Sequence, residues 1–122
     1  MFIRFVVGGD GEHHKALTGV INEAYLLLKE VELTQAEHNR MRSALTWFDR
    51  RLPAPPFSSA GWSADVVAWF KDDARDAIWM IWDLVALLEE HGLPVRMLRS
   101  SNPGRVLYED EYQVVVDEWN RL

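Results

Sequence analysis

The stretch that decides the fold is VVAWFKDDARDAIWMIWDLVALLEEHGLPVRMLRS, residues 66–100. Residues 66–70 are apolar and rich in β-branched and aromatic side chains, which predicts a buried strand that ends at Lys71. Residues 74–91 are apolar at helical spacing, and Gly92 follows as the residue that commonly caps a helix in the left-handed conformation. Residues 95–99 indicate a second strand. This strand–helix–strand unit predicts a right-handed crossover between parallel strands.

The chain after residue 100 has the pattern of turns and short strands. The segment NPGR at 102–105 has Pro and Gly at the central positions of a type II turn, which would reverse the chain into a strand at 106–109. A second turn at 110–111 leads into a strand at 112–116. We therefore expect an antiparallel hairpin near the C-terminus.

The chain before residue 66 predicts one strand and two helices. Residues 2–7 indicate the strand, followed by a glycine-rich turn at 8–11 and a helix at 14–31. The sequence TQAE at 34–37 is a capping box, and it starts a second helix that stops at Pro53. Because the connection between these helices is only a few residues long, we expect an antiparallel pair.

Together these patterns predict one α+β domain over residues 1–122, in the order β-α-α-β-α-β-β-β. We expect a mixed sheet of about five strands with three helices packed on it. The only linker-like segment, residues 53–62, is rich in proline and contains Phe57 and Trp62. These aromatic side chains indicate that the segment packs on the domain.

Composition excludes several classes of function. The net charge of −6 over 122 residues, with no run of basic residues, argues against nucleic acid and anionic membranes as partners. The chain has no cysteine, which excludes disulfides, thiolate metal sites and cysteine nucleophiles. No segment approaches the roughly 20 apolar residues of a membrane span, and residues 2–7 are too short for a signal peptide. We expect a cytoplasmic protein without a cofactor.

The helix at 74–91 is apolar over more than half of its circumference, a wider arc than packing on one sheet face requires. The first-half helices, the proline-rich segment or a second copy of the chain must cover it; of these, we expect the first-half helices. Trp79 falls on the polar side, among Arg75, Asp76, Asp83 and Glu90. An exposed tryptophan beside a polar rim is a common interface anchor, so the candidate interface residues are Trp79, Trp82 and Asp83.

A second candidate site follows from the crossover. If the strands at 66–71 and 95–99 are parallel, their carboxyl ends share one sheet edge, where ligands bind in such sheets. Lys71 and Arg99, with amides of the helix terminus, would hold a small anion there. The candidate ligand-binding residues are Lys71, Asp72, Arg99, Ser100 and Asn102. The competing interpretation is that Asp72 and Asp73 pair with these bases, or act as the N-cap of the helix.

Other polar clusters favour structural interpretations. The acidic run at 109–111, with Asp117 and Glu118 nearby, has the residue types for a divalent cation or for paired carboxylates, but solvated acids normally gather at tight turns. His13 and His14, with Glu12 and His38, are a weak nitrogen–oxygen metal set, because neighbouring helical side chains diverge. The glycines at 8–11 lack the remainder of a phosphate-loop motif. His91 lies at the C-terminal end of the predicted helix, where a positive side chain interacts favourably with the helix dipole. We expect no metal site.

The motifs WFK at 69–71, HG at 91–92, PG at 103–104 and YEDEYQVV at 108–115 resemble a family of small, uncharacterised bacterial proteins. The resemblance covers residues 66–116 and implies a bacterial, cytoplasmic, stand-alone domain with no known activity. It directs attention, besides Lys71, to a second candidate patch formed by Tyr108, Glu109, Asp110 and Gln113.

The leading hypothesis is a non-enzymatic binding or interaction module that associates with a protein partner or with itself as a homodimer. The alternative is a small enzyme or anionic-ligand-binding protein that uses Lys71 and Arg99 at the strand ends. An acidic mimic of nucleic acid ranks last, because the acidic residues are dispersed along the chain.

Overall fold

The computed structural model describes residues 1–8, 18–57, 59–63 and 66–118. Three helices and five longer strands follow the predicted order, which confirms the α+β class. In chain order the elements are β1 (Phe2–Val7), β2 (Thr18–Gly19), α1 (Val20–Glu30), α2 (Gln35–Arg51), β3 (Val67–Lys71), α3 (Arg75–Glu90), β4 (Val95–Ser100), β5 (Gly104–Glu109) and β6 (Gln113–Glu118).

The sheet differs from the expected one in how its strands pair. Its five longer strands lie in the order β4-β1-β3-β6-β5, the short β2 pairs with the end of β1 that β3 does not reach, and every pair is antiparallel. We expected a mixed sheet in which β3 and β4 are parallel neighbours. The two strands do run in the same direction, but β1 lies between them and pairs with both. The expected mixed sheet was therefore wrong in this respect, while the hairpin of β5 and β6 is confirmed.

The sheet must also be strongly curled. Only residues 101–103 connect β4 to β5, so the Cα atoms of Ser100 and Gly104 are at most about 15 Å apart. In a flat sheet, four strand spacings would separate these edge strands by about 19 Å sideways alone. The turn predicted at residues 102–105 does not bring β4 and β5 together as neighbours: β4 pairs with β1, and β5 pairs with β6.

The two sheet faces have different packing. The helix face contains Ile3, Phe5 and Val7 of β1, which join buried side chains of all three helices in one core cluster. The concave face contains a second cluster, and its described members all come from strands: Trp69, Val114 and Val116, with Phe2, Val67 and Leu98 packed against them. Leu98 of β4 lies on this face because its cross-strand partner, Arg4, is on the same side of β1 as Phe2.

The helices form one layer around α3, and α1 and α2 both pack on it, as the periodicity predicted. The capping box is present: the Thr34 hydroxyl accepts from the Glu37 backbone N–H, and the Glu37 carboxylate accepts from the Thr34 backbone N–H. Gly92 has φ 81°, the left-handed conformation expected after α3. Helix α1 begins only at Val20, because residues 18–19 pair with β1.

The proline-rich segment lies against the domain, as expected. Its Trp62 ring packs edge-on against Tyr108 of β5, with ring centroids 6.4 Å apart, and Phe57 packs on Trp62 at 5.8 Å. The carbonyl oxygen of Pro53 accepts a hydrogen bond of 2.8 Å from the side-chain amide of Gln113. The segment therefore covers the β5–β6 end of the sheet.

Candidate functional site

The largest exposed aromatic surface of the described chain lies on the outer side of α3. Trp79 is 79% exposed and Trp82 is 47% exposed. An open hollow of about 520 Å³ lies beside them, lined by Trp79, Met80, Trp82, Asp83 and Ala86. We call these five residues the tryptophan patch. It contains all three residues of the interface predicted from the sequence, together with Met80 and Ala86.

The position of the patch follows from how α3 is packed. The side chains that face α1, α2 and the sheet are buried: Ala77, Ile81, Leu84, Val85, Leu87 and Leu88. The first-half helices thus cover most of the apolar arc, and the remaining stripe faces outward with both indoles in it. Burying such a side chain is worth roughly 1.5–3 kcal/mol relative to leaving it exposed. Because Trp79 stays exposed in the folded chain, it contributes little of this free energy to folding.

One side of the patch continues onto the sheet. The ring of Trp82 packs edge-on against Phe5 of β1, with centroids 5.0 Å apart. Met97 of β4 is the direct cross-strand neighbour of Phe5 and is 38% exposed. Because directly opposed residues share a sheet face, the apolar surface extends from Trp82 toward Met97.

The other side of the patch is charged. The guanidinium of Arg40 on α2 donates to the Asp83 carboxylate at 3.1 Å, and it lies 3.9 Å from the Glu90 carboxylate. All three side chains are about half exposed. An apolar centre beside a polar, solvent-accessible rim is the usual anatomy of a protein–protein interface.

The strand-end site does not assemble as expected. Lys71 and Ser100 both lie opposite Phe2, one on each side, so the two strands do end at one edge. Phe2 belongs to the concave face, however, whereas Arg99 lies opposite Ile3 on the helix face. Lys71 and Arg99 therefore lie on opposite faces of the sheet, and the structure does not bring them together around one anion.

The charged groups at this edge have other partners. The Lys71 ammonium forms an ion pair of 2.5 Å with Glu109 of β5, and Asp72 lies 3.8 Å from the N-terminal ammonium of Met1. The Asn102 backbone N–H donates to the Ser100 hydroxyl at 3.1 Å. The N-cap of α3 is Ala74, which has no side-chain cap, so the expectation that Asp72 or Asp73 caps this helix was wrong.

The second candidate patch is a compact hydrogen-bonded unit, which we call the polar corner: Tyr108, Asp110, Gln113 and the carbonyl group of Pro53. One oxygen of Asp110 accepts from the backbone N–H groups of Tyr112 and Gln113, at 2.8 and 3.1 Å. Its other oxygen accepts from the Tyr108 hydroxyl at 2.9 Å and from the Gln113 amide at 3.1 Å. Glu109, the fourth residue of the predicted patch, faces Lys71 instead.

The polar corner has its hydrogen-bonding groups occupied by the chain itself. The hydrogen bond to Asp110, together with burial, raises the pKa of the Tyr108 phenol above its usual value of 10. Gln113 is only 4% exposed, and its side-chain amide donates to both Pro53 and Asp110. This arrangement holds the β5–β6 turn and the proline-rich segment together, and its contacts are those of a structural unit.

His91 has a role that the sequence did not reveal. Its Nε2 atom lies 2.7 Å from Oε2 of Glu37, the carboxylate of the capping box. The hydrogen bonds from the Thr34 backbone and from His91 lower the pKa of Glu37 below its usual value of 4.5. The end of α3 is thereby joined to the start of α2.

The remaining predicted clusters give no site in the described part of the chain. No group of three or more His, Asp or Glu side chains among those residues is placed to hold a metal ion. Glu12, His13 and His14, and the turn at 9–11, lie outside the described residues. Asp117 lies 3.4 Å from Arg105 on the neighbouring strand.

Sequence reasoning missed Met80, Ala86 and Met97 as parts of the apolar surface. For Ala86 a signal was available, because positions 79, 82, 83 and 86 recur at helical spacing. Met80 is next to Trp79 in sequence and points about 100° away from it around the helix, so this spacing does not identify it. Met97 had no such signal, since its place beside Phe5 depends on the pairing of β1 with β4.

The chain was also compared with known proteins. No protein-family model matches it, and neither a curated protein nor a solved structure does. The resemblance of residues 66–116 to small bacterial proteins therefore stays a prediction. None of the described helices is long and apolar enough to cross a membrane.

Proposed function

We propose that this protein is a non-enzymatic interaction module that binds a protein through the tryptophan patch, in the bacterial cytoplasm as the resemblance of residues 66–116 implies. The observation that carries the proposal is the exposure of Trp79, at 79%, beside the half-exposed Trp82. Tryptophan is among the residues most enriched in the energetically dominant parts of interfaces. A tryptophan with no packing role in its own domain is explained by a role in binding.

The chemistry of the hollow favours a protein over a small polar substrate. Small-molecule sites are typically concave and bury most of the ligand, with a few polar groups that converge on it. The hollow beside Trp79 is open, and among the described residues that line it Asp83 alone is ionisable. That carboxylate is already engaged by Arg40. The surface therefore offers apolar area and one charged rim, which suit a folded partner.

The alternative, an enzyme or anion-binding protein that uses Lys71 and Arg99, has less support. These two side chains lie on opposite sheet faces, and Lys71 is paired with Glu109. We therefore place the function at α3.

Hydroxyl-radical footprinting with mass spectrometry tests this proposal. The protein is labelled in dilute pure solution and again at the same low concentration in an extract of the cells that produce it. Protection of Trp79 and Trp82, either in the extract or as the concentration of the pure protein is raised, is the expected result. Tyr25 and Phe57 are the internal controls, because they are 42% and 46% exposed and lie outside the patch.

Two outcomes would contradict the proposal. Equal labelling of Trp79 in pure solution and in extract, with the pure protein also showing no protection as its concentration is raised, would mean that nothing covers the patch. Protection of Tyr25 or Phe57 with no change at Trp79 would place the interaction on another surface.

A further inference from the structure

We propose that the partner is a second copy of this chain, bound so that the two α3 helices pack antiparallel about a twofold axis next to Trp82 and Asp83. This inference rests on the proposed function, since it names the occupant of the tryptophan patch. It is argued from the order of charges and side-chain sizes along the exposed stripe of α3.

Four residues form the centre line of that stripe. At 3.6 residues per turn, Arg75, Trp79, Ala86 and Glu90 fall within about 60° of one another around the axis of α3. Along the helix they read as a cation, a large aromatic, a small residue and an anion. All four are exposed. If a second copy of this line runs in the opposite direction, its anion lies opposite the cation and its small residue lies opposite the large aromatic.

A twofold axis turns that order into contacts. In an isologous interface, if residue i of one copy contacts residue j of the other, then j also contacts i. With the axis beside Trp82 and Asp83, Trp79 lies over the partner's Ala86, and Arg75 meets the partner's Glu90. Each of these contacts occurs twice. The large indole thus enters the space that the small Ala86 leaves in the hollow, and opposite charges meet at both ends.

The two flanks of the stripe are also compatible with self-association. One flank carries Trp82 and continues toward Met97, so equivalent apolar surfaces meet across the axis. The other flank carries Asp83, and two such carboxylates facing each other would repel. Arg40 lies beside Asp83 in each copy, with 3.1 Å between guanidinium and carboxylate, and it neutralises that repulsion.

The exposed area is adequate for the centre of a dimer interface. With about 250 Å² for a whole tryptophan side chain, the exposed fractions of Trp79 and Trp82 leave roughly 300 Å² of indole surface on each copy. Specific interfaces bury about 800 Å² per partner. The indoles therefore supply a substantial part of the buried area, and the rest of α3, Met97 and the charged rim would supply the remainder.

Charge reversal tests this geometry directly. Arg75→Glu and Glu90→Arg, each alone, place like charges at both ends of the symmetric interface, and we expect each to weaken the dimer by roughly tenfold or more. Mixing the two variants pairs opposite charges at both ends of a heterodimer, so the mixture regains the mass of a dimer. Light scattering over a concentration series measures these masses, and one of the two variants carries a mass tag to identify the mixed species.

Two further variants serve as controls. Asp49→Arg makes the same charge change as Glu90→Arg at an exposed position of α2. It lies nine residues, and therefore half a turn, around that helix from Arg40, so it should leave the dimer intact. Trp79→Asp should give the mass of one chain. Circular dichroism tests whether each variant is folded. Because all four substituted positions are exposed, we expect spectra identical to that of the wild type.

Each failure has a distinct meaning. A wild-type mass of one chain at all concentrations overturns self-association, while protection of Trp79 in extract would still support binding of another protein. A wild-type dimer whose mass does not respond to Trp79→Asp overturns the placement on α3. A dimer lost in Trp79→Asp, but with no recovery when Arg75→Glu and Glu90→Arg are mixed, overturns the antiparallel arrangement.

Discussion

The polar corner and the tryptophan patch are both groups of residues that attract attention as sites, and they differ in where their partners lie. In the polar corner, the Asp110 carboxylate accepts four hydrogen bonds from its own chain, and Trp62 covers Tyr108. In the tryptophan patch, Trp79 extends into solvent and contributes little packing.

That difference separates structural residues from binding residues. Polar groups whose bonds are completed within the domain stabilise it, and they have little capacity left for a ligand. Large apolar side chains left exposed contribute little to folding and remain available to a partner. We therefore expect mutations in the polar corner to change stability, and mutations in the tryptophan patch to change association.

Among the candidate sites, the largest expected effect on stability is at the polar corner. Asp110→Ala removes the acceptor for two backbone N–H groups, one hydroxyl and one side-chain amide, and we expect it to lower the free energy of unfolding by about 3 kcal/mol. Urea denaturation followed by tryptophan fluorescence measures this. Glu111→Ala, at the exposed neighbouring position, is the control and should stay within about 0.5 kcal/mol of wild type. A loss below about 1 kcal/mol for Asp110→Ala would contradict a structural role.

The contacts of the Glu37 carboxylate should make a pH-dependent contribution to the free energy of unfolding. Because the pKa of Glu37 is lowered in the folded protein, its carboxylate stabilises the fold above the unfolded value near 4.5, and this stabilisation disappears as the pH falls through the folded value. Glu37→Gln should therefore be less stable than wild type at pH 7, and the two should converge in acid. Urea midpoints from pH 7 to pH 3 measure the difference. If Glu32→Gln, in the connection just before α2, gives the same pH dependence, the capping box and His91 are not its source.

A smaller effect is expected where an internal ion pair is open to solvent. Lys71 and Glu109 form such a pair, but Glu109 is 56% exposed. We expect a coupling free energy of about 0.2–1 kcal/mol from the double-mutant cycle of Lys71→Ala and Glu109→Ala. The coupling should fall in 1 M salt. A coupling above about 2 kcal/mol would mean that the pair is desolvated, and that Lys71 has a larger role than its exposure indicates.

The smallest effect on stability is expected in the tryptophan patch. Trp79→Ala, measured in dilute solution where the chain is a monomer, should change the free energy of unfolding by less than about 0.5 kcal/mol. Trp69→Ala is the matched comparison, because Trp69 is 7% exposed in the concave cluster, and it should cost about 3–5 kcal/mol. If both substitutions cost the same, Trp79 packs within its own domain and the distinction between the two regions fails.

Part of the candidate site was predictable from residue spacing. A helix has a fixed period, so Arg75, Asp76 and Glu90 locate the polar face of α3 from the sequence. The same spacing identified Trp79, Trp82 and Asp83. The anion site at Lys71 and Arg99 was not predictable in the same way. Its failure depends on β1, a strand more than 60 residues away in sequence, which places the two side chains on opposite faces.

The sequence by itself determined the local elements: the order of helices and strands, the capping box at Thr34, the end of α2 before Pro53 and the left-handed Gly92 after α3. These features depend on residues within a few positions of one another, so short-range periodicity and hydrogen bonding are sufficient to specify them. Only the tertiary structure decided which strands pair, how far the sheet curls, that Asp110 gathers its four donors, and that α1 and α2 leave Trp79 uncovered. Those outcomes depend on contacts between distant segments, where burial of apolar surface across the whole domain selects one arrangement among many that are locally acceptable.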